Sequence, residues 1–235
     1  MALPKLETPK YNMTVPSTGE EIEFRPFLVK EEKLLLLAME ENTDKATHSA
    51  VLDLVNSCTF GNLGKKSDPM FDIEYAFIKI RSKSVSETIE VKLLCPDDGK
   101  TYVDKSIDID EINILMDEGH STHVDLSDTL SIDFMYPTID TTLKSMKFTS
   151  DTEKAFFVIK SCIHTIHFGE DSYFVGDITN KELDEFVDSL TQQMFEKLQT
   201  FFNTMPRLRH KVEIENPTTG VVSEVTLEGL GDFLT

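Results

Sequence analysis

Apolar and polar residues alternate in short stretches that flank three turns of one pattern. The turns are Val15-Pro16-Ser17-Thr18-Gly19, Cys95-Pro96-Asp97-Asp98-Gly99 and Asn216-Pro217-Thr218-Thr219-Gly220. Tyr11, Met13 and Val15 precede the first, with Ile22 and Phe24 after it; Ile89, Val91, Leu93 and Cys95 lead into the second. Val212 and Ile214 precede the third, with Val225 and Leu227 after it. Pro16, Pro96 and Pro217 preset φ for a tight bend, and Gly19, Gly99 and Gly220 accept the φ > 0 that closes it. Period-two alternation around such bends predicts three β-hairpins.

Between the hairpins the apolar spacing becomes helical. A helix is expected over Val29–Glu41, and its Leu34 to Leu37 run predicts burial between layers. Asp44 is expected to cap a second helix carrying Ala50, Val51, Leu54, Val55 and Cys58. Asp68 as cap with Pro69 at the first helical position opens a central helix over Met70–Arg81, apolar nearly all round. Val124 to Phe134 alternates and adds strands, and Pro137 starts a short helix bearing Ile139, Leu143 and Met146. Ser150 with Glu153 forms a capping box before Phe156, Ile159, Ile163 and Ile166. Thr179 with Glu182 opens the longest helix, through Leu183, Val187, Leu190, Met194, Leu198, Phe201 and Met205, ended by Pro206. Its stripe is close to heptad spacing and suits either core packing or a helix–helix seam with a partner. These elements describe an α+β fold of three Pro-x-x-Gly hairpins and about six helices. One domain over 1–235 is expected, with a subdivision near 1–118 and 119–235 left open.

Composition narrows the function more than the fold. The 235 residues carry a formal net charge of −19, which repels phosphate backbones and speaks against nucleic-acid binding. The same charge favours solubility or basic partners. Cys58, Cys95 and Cys162 are three in number and far apart, so neither a disulfide framework nor a CxxC site follows, and a reducing compartment is expected. Met1 to Lys10 contains no apolar signal core, and no run approaches the ~18 apolar residues of a membrane span.

The candidate chemistry is sparse. No phosphate-binding glycine loop, nucleophile elbow or HExxH helix is present, and no cofactor is expected. Two HxxH pairs, His120 with His123 and His164 with His167, share a helical face if helical, and with Glu170 or Asp171 define a rival reading as a small metal-dependent enzyme. Strands around Cys95-Pro96-Asp97-Asp98-Gly99 have the outline of one zinc-ribbon knuckle. The second thiolate is missing at Gly99, and Asn216 stands where the counterpart of Cys95 would be, so the ribbon is degenerate and no metal site is expected. Pro206-Arg207-Leu208-Arg209-His210-Lys211 is the dense basic island of an acidic chain. Arg207 and Arg209 either offset nearby carboxylates and the helix end or dock an acidic partner; a weaker rival makes them part of a nucleic-acid-binding ribbon. The apolar tail Leu230, Phe233 and Leu234 either packs back or reaches a neighbour.

Several stretches resemble the baseplate hub subunit family of T-even-like contractile-tailed phages. They are Ala2-Leu3-Pro4-Lys5-Leu6, the first turn continuing through Phe24-Arg25-Pro26-Phe27-Leu28-Val29-Lys30-Glu31-Glu32-Lys33, and Ile80-Arg81-Ser82-Lys83-Ser84-Val85. Met205-Pro206-Arg207-Leu208-Arg209-His210 and the closing Thr226-Leu227-Glu228-Gly229-Leu230 with Phe233 are similar too. The resemblance implies a non-enzymatic tail-morphogenesis protein in the host cytoplasm and the virion baseplate. Its implied partners are hub and tape-measure proteins, with no nucleic acid and no membrane, and a homo-oligomer left open. Some relatives carry cysteine pairs at the middle hairpin, where this chain keeps Cys95.

Overall fold

The computed structural model describes residues 7–233, and in it all three turns close antiparallel hairpins. β1 (Tyr11–Thr14) and β2 (Glu21–Phe24) form the first. Three helices follow: α1 (Val29–Glu40), α2 (Asp44–Cys58) and α3 (Met70–Ser84). β3 (Thr88–Leu94) and β4 (Tyr102–Asp108) form the second hairpin, and β5 (Asn113–Leu115) ends this stretch. Next come β6 (His123–Asp125), β7 (Leu130–Phe134), α4 (Ile139–Ser145), α5 (Asp151–Cys162), β8 (Ile163–Phe168), β9 (Asp171–Phe174), α6 (Asn180–Asp188) and α7 (Gln192–Thr204). β10 (Arg207–Glu215) and β11 (Val222–Glu228) are the third hairpin, and α8 (Gly229–Phe233) closes the described chain. Among the described residues, eight α-helices and eleven strands in small antiparallel sheets make the fold α+β.

Contacts divide the chain into two compact units: residues up to Leu115 together with those from Arg207 onward, and the intervening Met116–Pro206. In the first, β10 lies between β11 and β5. Helix α3 is the centre of its core, with Ile73, Ala76, Phe77, Ile78 and Ile80 all fully buried, each large apolar side chain contributing about 1.5–3 kcal/mol. The β3 side chains Ile89, Val91 and Leu93 alternate inward as the pattern demands. In the second unit, β6-β7-β8-β9 form one sheet. Leu130, Ile132, Phe134, Ile163 and Ile166 pack on Leu183, Val187, Leu198 and Phe201 of α6 and α7, which leaves the opposite sheet face polar.

Five local expectations are corrected. The Leu34 to Leu37 run is not buried between layers: only Leu35 is covered, while Leu34, Leu36 and Leu37 are 50–60% exposed. The helix opened by Ser150 stops at Cys162, and Ile163 to Phe168 is strand β8, paired with both β7 and β9. The helix after Thr179 breaks at Ser189. Ser189 Oγ bonds back to the Phe186 carbonyl, and Thr191 accepts from Met194 N as a fresh N-cap. Two N-caps lie one residue from the expected position. Thr43, not Asp44, caps α2 by accepting from Ala46 N. Pro69, not Asp68, is the N-cap of α3, the Asp68 carboxylate instead accepting from Gly64 N and Lys65 N and folding the preceding loop.

Candidate functional site

The three turns are built alike and used differently. In each, the glycine N–H donates to the carbonyl four residues earlier: Gly19 to Val15 at 2.8 Å, Gly99 to Cys95 at 3.0 Å and Gly220 to Asn216 at 2.8 Å. The first turn docks on α3, where Ser17 N and Oγ both donate to the Asp72 carboxylate. The second and third clasp each other. Asn216 Nδ2 donates to both Asp97 oxygens at 3.0 Å, and Thr219 Oγ1 donates to Asp97 Oδ2 at 2.6 Å. The bonds from Thr219 and Asn216 hold the Asp97 carboxyl below its usual range. The paired knuckles of the degenerate ribbon are thus joined by hydrogen bonds to a carboxylate. The Cys95 thiol is buried, and burial with Asp97 and Asp98 nearby pushes its pKa up.

The C-terminal candidates lie in and against the first unit. Arg207 Nη1 meets Glu228 Oε1 at 2.5 Å and Arg209 Nε meets Glu228 Oε2 at 2.8 Å, so one carboxylate of β11 binds two cations of β10. Leu230 is 5% exposed and Phe233 is fully buried. Leu230 N donates to Glu74 Oε1 of α3 at 3.3 Å. Leu234 lies outside the described residues.

A run of exposed apolar side chains lies instead on α1. Val29 is 78% exposed and Leu34 60%, with Leu36, Leu37 and Met39 also uncovered. Leu34, Leu37 and Ala38 form one wall of a groove of roughly 470 Å³; Ala46, Ala50 and Leu54 of α2 form the other, with Glu41 and Asp53 along it. A buried ion pair fixes this platform. Glu31 Oε1 accepts from Arg25 Nη2 at 2.9 Å and Ser57 Oγ at 3.1 Å, while its Oε2 caps Leu28 N at 2.8 Å. Burial alone would raise the Glu31 pKa, but Arg25, Leu28 N, Lys30 and Ser57 together lower it to about 2. α1 is thereby anchored at its start to α2. One signal for this surface was available in the sequence: four consecutive leucines turn through about 300° of a helix, more than a single neighbouring helix covers.

The four histidines of the HxxH pairs do not gather at one point. His120 contacts Thr204 Oγ1 at 2.9 Å and Tyr136 Oη at 3.1 Å beside Phe201, and burial lowers its pKa. His164 is the extra residue of a β-bulge, since the register steps from Asp133↔Thr165 to Phe134↔Ile163; it packs edge-on against Phe174. His123 and His167 do come together, through Asp133. His123 Nδ1 is 2.6 Å from Asp133 Oδ1 and His167 Nε2 is 2.8 Å from Asp133 Oδ2.

Residues 8–235 match the family described as T4 bacteriophage base plate protein. The chain belongs to that family. It is therefore a phage baseplate protein, and its family sets it among other baseplate proteins of the virion tail. No curated protein and no solved structure matches. Among the described residues no helix is long and apolar enough to cross a membrane.

Proposed function

We propose that this baseplate protein is a non-catalytic subunit of the central hub. In this reading it is made in the host cytoplasm and assembles the hub by contact with hub and tape-measure proteins. The family match across residues 8–235 carries the reading. The α1 surface supports it with a physical means. Burying a leucine completely is worth about 1.5–3 kcal/mol, so covering the exposed halves of Leu34, Leu36 and Leu37 offers roughly 2–5 kcal/mol to a partner. Along the groove Lys30 is paired with Glu31, while Glu41 and Asp53 add uncompensated negative charge on a chain of net charge −19, which selects a partner segment that is basic around an apolar stripe. Arg207, Arg209, Leu230 and Phe233 serve in this reading to lock the C-terminal sheet and tail that support α3.

Co-expression with the hub and tape-measure proteins, followed by co-purification, tests the reading. The wild-type chain is expected to be recovered in a complex. The double variant Leu34→Glu/Leu37→Glu is expected to be lost from it while keeping its unfolding free energy within about 0.5 kcal/mol, as surface changes do. Absence of any complex with the wild-type chain would remove the hub role, and a complex indifferent to the double variant would remove α1 as its contact.

A further inference from the structure

We propose that the polar face of the four-stranded sheet binds one divalent ion of the zinc class through His123 Nδ1, Asp133 and His167 Nε2. The inference stands apart from the hub reading and concerns the second unit alone.

Sheet register assembles the site. His123 of β6 lies directly across from Asp133 of β7, and His167 of β8 is diagonal to it, opposite Ser131. The neighbouring positions Ile132 and Ile166 point into the core, so alternation sends all three ligand side chains to the other face. Their ligand atoms all lie within 4.8 Å of one another. Zinc bonds of about 2.0–2.2 Å in a tetrahedron require ligand–ligand edges of about 3.3–3.5 Å. The two His–Asp contacts, at 2.6 and 2.8 Å, must open slightly. Exposures of 48%, 40% and 32% for His123, Asp133 and His167 leave the side chains room to do so without backbone movement.

Both imidazoles are also held from behind. His123 Nε2 faces Asp125 Oδ1 at 3.4 Å, and His167 Nδ1 contacts Ser172 Oγ at 2.8 Å on β9. A partner on the second nitrogen places its proton there and turns the other nitrogen toward the ion, as metal-bound histidines generally require. Two imidazoles and one carboxylate suit Zn²⁺, Co²⁺ or Ni²⁺ better than Mg²⁺ or Ca²⁺, which prefer all-oxygen shells. Three protein ligands leave one position open toward solvent. Both imidazoles must be neutral to ligate, so the cation competes with protons for His123 Nδ1 and His167 Nε2; any proton held there leaves to solvent on binding, and binding strengthens as pH rises through the histidine range.

The test is calorimetric titration of the metal-stripped full chain with Zn²⁺ at pH 7.5, repeated in two buffers of different ionisation heat. Saturation at one ion per chain, with proton release, is expected. His123→Ala and His167→Ala should each weaken binding at least tenfold, and Asp133→Asn comparably; His120→Ala and His164→Ala should leave it unchanged. Lowering the pH to 5.5 should weaken wild-type binding at least tenfold. Co²⁺ substitution should give visible absorption that His167→Ala abolishes. Failure of the wild-type chain to saturate with millimolar Zn²⁺ would overturn the proposal, and that measurement needs no variant to fold. Retention of wild-type affinity in the His123→Ala/His167→Ala double variant would overturn it equally.

Discussion

Replacing Glu74 by glutamine should stabilise the protein at pH 8 and leave it nearly unchanged at pH 4. Glu74 sits on α3 within the first unit's core and accepts one hydrogen bond, from Leu230 N. Burial raises its pKa from an ordinary 4.5 to about 7; Glu228 adds to the rise, while the Leu230 N–H and Arg207 oppose it. Between those two values the folded chain holds a proton that the unfolded chain has released. Stability from this group is therefore fully present below pH 4.5, falls as pH rises through the interval, and is lost above about 7. The total is about 3 kcal/mol, from 1.36 kcal/mol for each tenfold change in the proton equilibrium.

Glutamine keeps the Oε1 acceptor for Leu230 N and cannot ionise, so it imitates the protonated acid at every pH. Urea unfolding of both chains at pH 4 and pH 8 measures the effect. The difference should be near zero at pH 4 and should approach 3 kcal/mol in favour of Glu74→Gln at pH 8, about 6–12 °C in Tm. Taking the difference between the two chains cancels other titrating groups, including Asp72, whose pKa burial also raises against the two Ser17 hydrogen bonds. A difference of equal size at both pH values would show that Glu74 does not carry a proton in the folded core. A less stable glutamine variant at pH 8 would show that the ionised carboxylate is itself a favourable partner for the start of α8.

Three further outcomes follow from local geometry. Gly64→Ala should lose more than about 2 kcal/mol, because Gly64 has φ +94° and a Cβ there would lie 2.5 Å from Asn56 N; a urea midpoint within error of wild type would contradict this. Thr191→Ala should lose about 1 kcal/mol by removing the cap on Met194 N, read from the same unfolding curves. Burial pushes the thiol of Cys58 up to about 11 and that of Cys162 up to about 12, so both should resist a thiol-specific reagent at pH 8 until the chain unfolds, and prompt labelling of the native protein would contradict their burial.

Features set by neighbouring residues were legible in the sequence, and those set by distant pairing were not. The hairpins at Pro16, Pro96 and Pro217 could be read because the turn chemistry and the flanking alternation lie within one short window. Helix α3 could be read because its all-round apolar character has no other use in a folded chain. The start of α7 escaped because the apolar stripe from Leu183 to Met205 continues in phase across the break, and the Thr191 cap is then the sole local mark. The partnership of β10 with β5 escaped as well, since Arg207 to Arg209 meets Asn113 to Leu115 from nearly a hundred positions away.

The boundary at Cys162 shows why this matters for chemistry. Phe156, Ile159, Ile163 and Ile166 fit one helical face, yet Ile163 and Ile166 also fit a bulged strand, and local spacing does not choose between them. The choice is made by β7, which pairs with Ile163 to Phe168 on one side, by β9, which pairs with Thr165 to Phe168 on the other, and by Gly169, whose N–H reaches the Thr129 carbonyl. On a helix, His164 and His167 would share a face and form a pair. On the strand they part: His164 enters the bulge beside Phe174, while His167 turns to the polar face and meets His123, 44 positions earlier. The acid between them, Asp133, belongs to no histidine motif at all. A cluster of this kind is a property of strand register, so its ligands become visible only once the pairing is known.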